Sequence, residues 1–218
     1  MFLRKTHFVM EAVVVDLEKN NNKLTLKSFS NIENLEKKIY YKSYLNLSLE
    51  ERKRLLQIIK KDNSWSDKQE GLYFTNIHAH HTKWHLHDEV YEFKKLAKTI
   101  ENKLMYSVLK VPIKHKVKEC WGSIYVKDDY AKPHHHHPYL WAFTYYPFAP
   151  VGSSPLRFHD TVVQNGKSVA RYPDYVDEVF PSDDLLLLFP ANTHHSVPKS
   201  LIDEKRVVIA GNITIEHI

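Results

Sequence analysis

The chain of 218 residues carries 15 histidines, concentrated in three internal groups. His78, His80, His81, His85 and His87 form the first, His134–His137 the second, and His194 and His195 the third. Imidazole suits iron, zinc, copper and nickel as a ligand. In Tyr130-Ala131-Lys132-Pro133-His134-His135-His136-His137-Pro138, an extended backbone sends residues two apart to the same face. His135 and His137 then share one face and His134 and His136 the other, and either pair is suited to clamp one ion. A third ligand has to come from elsewhere in the chain. Phe189-Pro190-Ala191-Asn192-Thr193-His194-His195-Ser196-Val197 offers it, directly after the most apolar strand, Leu185–Phe189. Only one of His194 and His195 suits the role of distal ligand. Arg206 follows, heading the otherwise apolar Val207-Val208-Ile209-Ala210-Gly211 run. A buried guanidinium is costly unless it meets an anion, and its planar fork takes a carboxylate through two parallel bonds. In the first group, His81 and His85 have the i, i+4 spacing of a helical zinc pair, but the glutamate of a metalloprotease is missing. A loop or entry strand is the expected reading there.

These groups need a scaffold. Ala12–Val15 and Leu24–Phe29 read as a hairpin of strands across an asparagine-rich turn. Ser48-Leu49-Glu50-Glu51 is a capping box that opens a helix running up to Lys60-Lys61-Asp62-Asn63. A second helix is expected over Asp88–Met105, burying Phe93, Leu96, Ala97, Ile100 and Leu104. From Val117 onward the pattern is β: Cys120–Val126, Trp141–Tyr146, Leu156–Phe158, Leu185–Phe189 and Arg206–Ile215, separated by turns rich in Pro, Gly, Asp and Asn. Short strands after helices point to a mainly β fold with N-terminal helices. One domain over 1–218 is expected, with strands and a helical brace in 1–110 and the β core in 111–218.

Composition narrows the classes. Five glycines against 12% aromatic residues describe a packed globular chain rather than a disordered one. A net charge of +5, without a dense Lys/Arg block interleaved with aromatics, does not indicate nucleic acid as a partner. The single cysteine, Cys120, cannot form an internal disulfide. The start lacks a long apolar run and the longest apolar stretch, Leu185–Pro190, is too short for a membrane span; a cytoplasmic location is expected by default.

Taken together and in order, Trp121, His135-His136-His137-Pro138, Tyr145-Tyr146, Leu156-Arg157-Phe158-His159-Asp160, Phe189-Pro190, His195-Ser196-Val197, Arg206 and Asn212 resemble the 2-oxoglutarate/Fe(II)-dependent oxygenase superfamily, in particular a branch common in bacteria and phages. The resemblance covers roughly the last hundred residues well, 70–110 loosely and 1–47 not at all. It implies a double-stranded β-helix, a jelly-roll or cupin-like barrel braced by helices. It implies His135, His137 and His195 as iron ligands and Arg206 as the anchor of the far carboxylate of 2-oxoglutarate. Tyr125, Tyr145 and Asn212 are candidates for lining the co-substrate pocket, although core packing or strand pairing explains each equally well. The chain departs from the family at His137, where a carboxylate is usual, and Asp160 is the candidate to supply it, directly or as acceptor for an imidazole N–H. The implied reaction uses Fe(II), 2-oxoglutarate and O2 to hydroxylate a substrate, releasing succinate and carbon dioxide. Two alternatives carry no 2-oxoglutarate: a cupin-like three-histidine dioxygenase or isomerase, and a non-catalytic metal-binding module. Neither needs Arg206. The primary substrate is not encoded in any of these motifs.

Overall fold

The structure, a computed structural model, describes residues 39–62, 76–110 and 113–216. The expected hairpin over Ala12–Val15 and Leu24–Phe29 lies outside them. In chain order the elements are β1 (Tyr41–Tyr44), α1 (Leu49–Lys61), β2 (Ile77–His78), β3 (His80–His81), α2 (Leu86–Glu89), α3 (Tyr91–Lys103), β4 (His115–Tyr125), β5 (Tyr130–His134), β6 (Trp141–Phe148) and β7 (Leu156–Phe158). They continue with β8 (Thr161–Gln164), β9 (Lys167–Ala170), β10 (Asp177–Val179), β11 (Leu185–Pro190), β12 (His195–Val197) and β13 (Arg206–Ile215). No helix among the described residues is long and apolar enough to cross a membrane.

Two antiparallel sheets face each other. The larger has the order β1-β11-β6-β13-β4-β3 and the smaller β10-β7-β12-β5-β2, with β8-β9 as a separate hairpin. Sequence-distant strands are neighbours in both sheets, as in a jelly roll. The strands β1, β2 and β3, from the N-terminal part expected to hold strands and a helical brace, form sheet edges.

Because side chains alternate along a strand, the larger sheet has two buried faces. The outer face packs under the helices: Leu55 and Ile59 of α1 and Phe93, Leu96 and Ile100 of α3 meet Cys120, Phe143, Tyr145, Leu186, Leu188 and Ile209. Here Gly122 is required, since a Cβ would collide with the Ile59 side chain. The inner face, with Trp121, Tyr125, Ala142, Tyr146, Leu187 and Phe189, packs against Ala131, Leu156, Phe158 and Val197 of the smaller sheet. Phe158 and Phe189 are fully buried, each contributing about 1.5–3 kcal/mol of hydrophobic stabilisation.

Helix α1 starts at the predicted capping box: Glu51 N–H donates to Ser48 Oγ while Ser48 N–H donates to the Glu51 carboxylate. The second predicted helix is broken at Val90, whose extended backbone (φ −114°, ψ 121°) separates α2 from α3. Beyond Lys103 the helix widens into a π-helical stretch, Leu104–Leu109, and stops at Lys110 in the left-handed region.

Three strands carry one residue more than a partner: β6 against β13, where Phe148 faces Val207 but Tyr145 faces Ile209, and β4 and β5. In β4, Glu119 pairs with Asn212 and Val117 with Ile213, so Lys118 is surplus. In β5, Ala131 faces Val197 but His134 faces His195, three residues against two. Each bulge exchanges the faces of the residues on its two sides.

Candidate metal centre and co-substrate cavity

The β5 bulge decides which histidines point inward. Counting by twos from the buried Ala131 leads to His135 and His137; the surplus residue places His134 and His136 there instead. His134 is cross-strand partner to His195, with ring centroids 4.3 Å apart. His136 stacks on His195 at 5.0 Å. One nitrogen from each of His134, His136 and His195 lies within 4.8 Å of the others. The expected pair, His135 and His137, is exposed. His135 packs edge-on against His194, at 4.7 Å, rather than against His195. The structure therefore brings His134 and His136, rather than His135 and His137, together with His195.

The tautomers of two members follow from their surroundings. His134 Nδ1 donates to the Lys132 carbonyl at 2.6 Å, and His195 Nδ1 to the Thr193 carbonyl at 2.9 Å. A carbonyl only accepts, so the proton sits on Nδ1 and Nε2 keeps its lone pair for a metal. His136 Nε2 and His195 Nε2 are 3.2 Å apart. Two nitrogens each about 2.1 Å from one ion lie about 3.0–3.4 Å apart for square to tetrahedral angles, so the spacing fits a shared cation. Burial holds the His134 imidazole at about 4, that of His136 at about 3, and that of His195 well below its usual value, so all three are neutral ligands at physiological pH. Phe189 and Phe158 flank His195 at 4.9 and 6.5 Å, and Trp121 lies 6.1 Å from His136.

The inner face of the larger sheet forms the cavity floor, and strand register orders it in rows. Tyr125 and Arg206 are partners at one end, then Ser123 and Val208, then Trp121 with Ala210 and Thr144, and last Glu119 with Asn212 and Ala142. Arg206 is 3% exposed. It donates from Nη1 to the Ser154 carbonyl at 2.6 Å and lies 4.1 Å over the Tyr125 ring. Its Nε is buried without a hydrogen-bond partner, and it pairs with no carboxylate among the described residues. Trp121 Nε1 and Asn212 Oδ1, on the same face, are also buried and unpartnered. Buried polar atoms normally find partners, so this group marks a face built to meet a polar ligand.

The other expected site residues divide. Tyr125 belongs to the cavity, as the ring under Arg206. Tyr145 does not: it points to the helix side, where its hydroxyl donates to Asp184 at 2.8 Å. The inward neighbour is Tyr146, which strand alternation from Trp141 would have distinguished. Asn212 is inward but donates from Nδ2 to Glu119 at 2.6 Å. Asp160 is exposed and caps its own turn, accepting from Thr161 N–H at 2.9 Å, so it supplies no carboxylate to the histidines. The imidazole N–H acceptors are instead backbone carbonyls. His81 sits in β3 and His85 at the start of α2, so the two do not share a helix face. Glu119 had no motif to single it out, although it lies two residues from the inward Trp121 and on the same face.

No family model and no curated protein sequence matches the chain. Solved structures do. A prolyl-4-hydroxylase from Pseudomonas putida superposes with a TM-score of 0.56 at 11% identity, covering 82% of this chain and 94% of that one. The viral collagen prolyl hydroxylase of Paramecium bursaria Chlorella virus-1, in its 2-oxoglutarate complex, gives 0.56 at 14% identity, covering 83% and 98%. The non-heme α-ketoglutarate-dependent epimerase SnoN from nogalamycin biosynthesis gives 0.60 at 12% identity, covering 81% and 78%. With its two facing sheets, helical brace and histidines at the sheet ends, the chain has the double-stranded β-helix fold of these 2-oxoglutarate-dependent enzymes.

Proposed function

We propose that the protein is an Fe(II)- and 2-oxoglutarate-dependent oxygenase that hydroxylates its substrate with release of succinate and carbon dioxide. One observation carries the reading: three neutral imidazole nitrogens of the smaller sheet converge on one point, and the facing sheet buries a guanidinium that has no carboxylate partner among the described residues. We assign His134, His136 and His195 as the metal ligands. Three neutral nitrogen donors at this spacing fit a first-row divalent ion. Iron(II) bound there would supply the oxygen chemistry, in which O2 takes up four electrons, two from the oxidative decarboxylation of 2-oxoglutarate and two from the substrate.

The chain's own residues do the rest. The carbonyls of Lys132 and Thr193 fix the orientation of two ligands. Arg206, held against Tyr125 and Ser154, takes the far carboxylate of 2-oxoglutarate through its free donors. Phe158, Phe189 and Leu187 close the wall behind the histidines and keep water from the reacting atoms. A cupin-like site that uses no 2-oxoglutarate would have no need of a buried, unmatched guanidinium across from its metal.

The test is anaerobic titration of 2-oxoglutarate into Fe(II)-loaded protein, followed by succinate measurement on admitting O2. Saturable binding that requires both metal and Arg206, with slow uncoupled succinate formation, is the expected result. Metal binding without any 2-oxoglutarate binding would leave the cupin-like reading in its place.

A further inference from the structure

Beyond the metal row, the cavity floor ends in a second polar group that the oxygenase reading does not use. Glu119 and Asn212 are register partners one row past Trp121 and Ala210, at the opposite end of β13 from Arg206. The six residue steps from Arg206 to Asn212 span about 20 Å of strand, so Glu119 and Arg206 cannot serve the same small ligand group. Glu119 faces inward by regular alternation from Trp121, and the surplus Lys118 next to it turns Val117 to the other face. Its carboxylate accepts from Asn212 Nδ2 at 2.6 Å and from the Tyr139 hydroxyl. Tyr139 in turn belongs to the turn that carries His136, its N–H donating to the His136 carbonyl at 3.0 Å. Glu119 is thereby fixed between the strand bearing Trp121 and the segment bearing a metal ligand.

The polarity of this end is acceptor-rich. No lysine or arginine among the described residues pairs with Glu119. Asn212 is 2% exposed. Because its Nδ2 is committed to Glu119, its Oδ1 is the atom turned elsewhere, and it is buried without a partner. A part-buried carboxylate beside a buried, unpartnered amide oxygen is satisfied by a ligand that brings donors and positive charge.

We infer that Glu119, with Asn212 beside it, is a substrate-recognition site for a protonated amine or guanidinium, which places the carbon to be oxidised over the metal row. The inference rests on the oxygenase reading for the position of the metal and co-substrate. It assigns the primary substrate to the cationic nitrogen compounds.

The experiment is calorimetric titration, under anaerobic conditions, of the chain loaded with Fe(II) and 2-oxoglutarate. The probes are Nα-acetyl-argininamide and Nα-acetyl-lysinamide, against their neutral shape analogues Nα-acetyl-citrullinamide and Nα-acetyl-norleucinamide, at concentrations up to the millimolar range. The cationic probes are expected to bind at least about tenfold more tightly than the neutral ones, as one charge-assisted contact requires. Glu119→Gln, which keeps an acceptor for Asn212 Nδ2, is expected to erase that difference and leave the 2-oxoglutarate titration as in wild type. Equal binding of cationic and neutral probes, no binding of either, or a preference that survives in E119Q overturns the assignment. A shifted 2-oxoglutarate affinity in E119Q also overturns it, by showing that Glu119 balances the metal site instead. Absence of 2-oxoglutarate binding in the wild-type protein is a separate result, which sinks the oxygenase reading. A melting curve for E119Q matching wild type, or the same loss of preference in Glu119→Ala, guards against a folding defect.

Discussion

Replacing Arg206 by methionine separates a ligand anchor from a structural arginine. The guanidinium is 3% exposed, and its Nε has no partner. Removing it from the ligand-free protein has opposing effects. The Ser154 carbonyl loses its donor, at a cost of about 1–3 kcal/mol, and the contact with Tyr125 goes, about 0.5–2 kcal/mol. Against this, a buried charge without a counter-ion disappears, and apolar replacement of buried ionic groups is often neutral or stabilising by about 1–4 kcal/mol. The terms nearly cancel, so ligand-free R206M should melt close to wild type. Binding of 2-oxoglutarate has no such compensation. Loss of a desolvated carboxylate–guanidinium contact costs about 2–5 kcal/mol, or roughly 30-fold to several thousand-fold in Kd. In the assay, each metal-loaded protein is melted with and without 2-oxoglutarate. At a hundred times its Kd the ligand should stabilise wild type by about 2.7 kcal/mol, and R206M hardly at all. A variant that melts far below wild type yet binds 2-oxoglutarate with unchanged affinity would show that Arg206 is a packing element and that the co-substrate assignment is mistaken.

Further outcomes follow from the same geometry. His136→Ala should lose stoichiometric iron or cobalt in equilibrium dialysis, whereas His137→Ala, an exposed position, should retain it. The metal-free protein should lose stability on acidification: His134 and His136 refuse protons down to about 4 and about 3, while the unfolded chain takes them up below about 6.5, so stability is complete above that value and falls by up to about 1.4 kcal/mol per pH unit per group beneath it, as urea melts between neutral and mildly acidic pH would record. Tyr145→Phe removes the bond to Asp184 and should cost about 1 kcal/mol of stability without moving the Kd for 2-oxoglutarate; a changed Kd would return Tyr145 to the pocket. Gly211→Ala would press a methyl group onto the Glu119 carbonyl and the Phe143 ring, and a loss of 2 kcal/mol or more is expected from such overpacking, read from the denaturation midpoint.

The elements legible in the sequence were those with a strong local signal. The Ser48–Glu51 box locates the start of α1 to the residue, and the leucine spacing after it carries the helix to its last turn. The apolar run Leu185–Pro190 and the β-branched run from Arg206 form the strands expected of them. The short strands β2, β3, β10 and β12 have two or three residues each, too few for any period to show; the sheet they join defines them. The site was legible as chemistry and less so as orientation. His195 and Arg206 are both buried, but the inward pair of the tetrahistidine run depends on a bulge between Ala131 and His134, a property of pairing with β12 that no residue type announces. Tyr145 and Tyr146 are adjacent on one strand and serve opposite cores, which alternation separates once the face of one strand residue, such as Trp141, is fixed.

The surplus residue in β5 has a consequence for how the chain tolerates change in length. A change of one residue between Ala131 and the histidines would normally turn a strand's functional side chains outward and abolish the site. For a deletion this run carries spares: the slip that retires His134 and His136 brings in His135 and His137, two imidazoles of identical reach. An insertion is not covered in the same way, because it moves Pro133 and His135 into the two inward places. Four consecutive histidines thus let this turn shorten by one residue with two imidazoles still facing His195, whereas lengthening it leaves one.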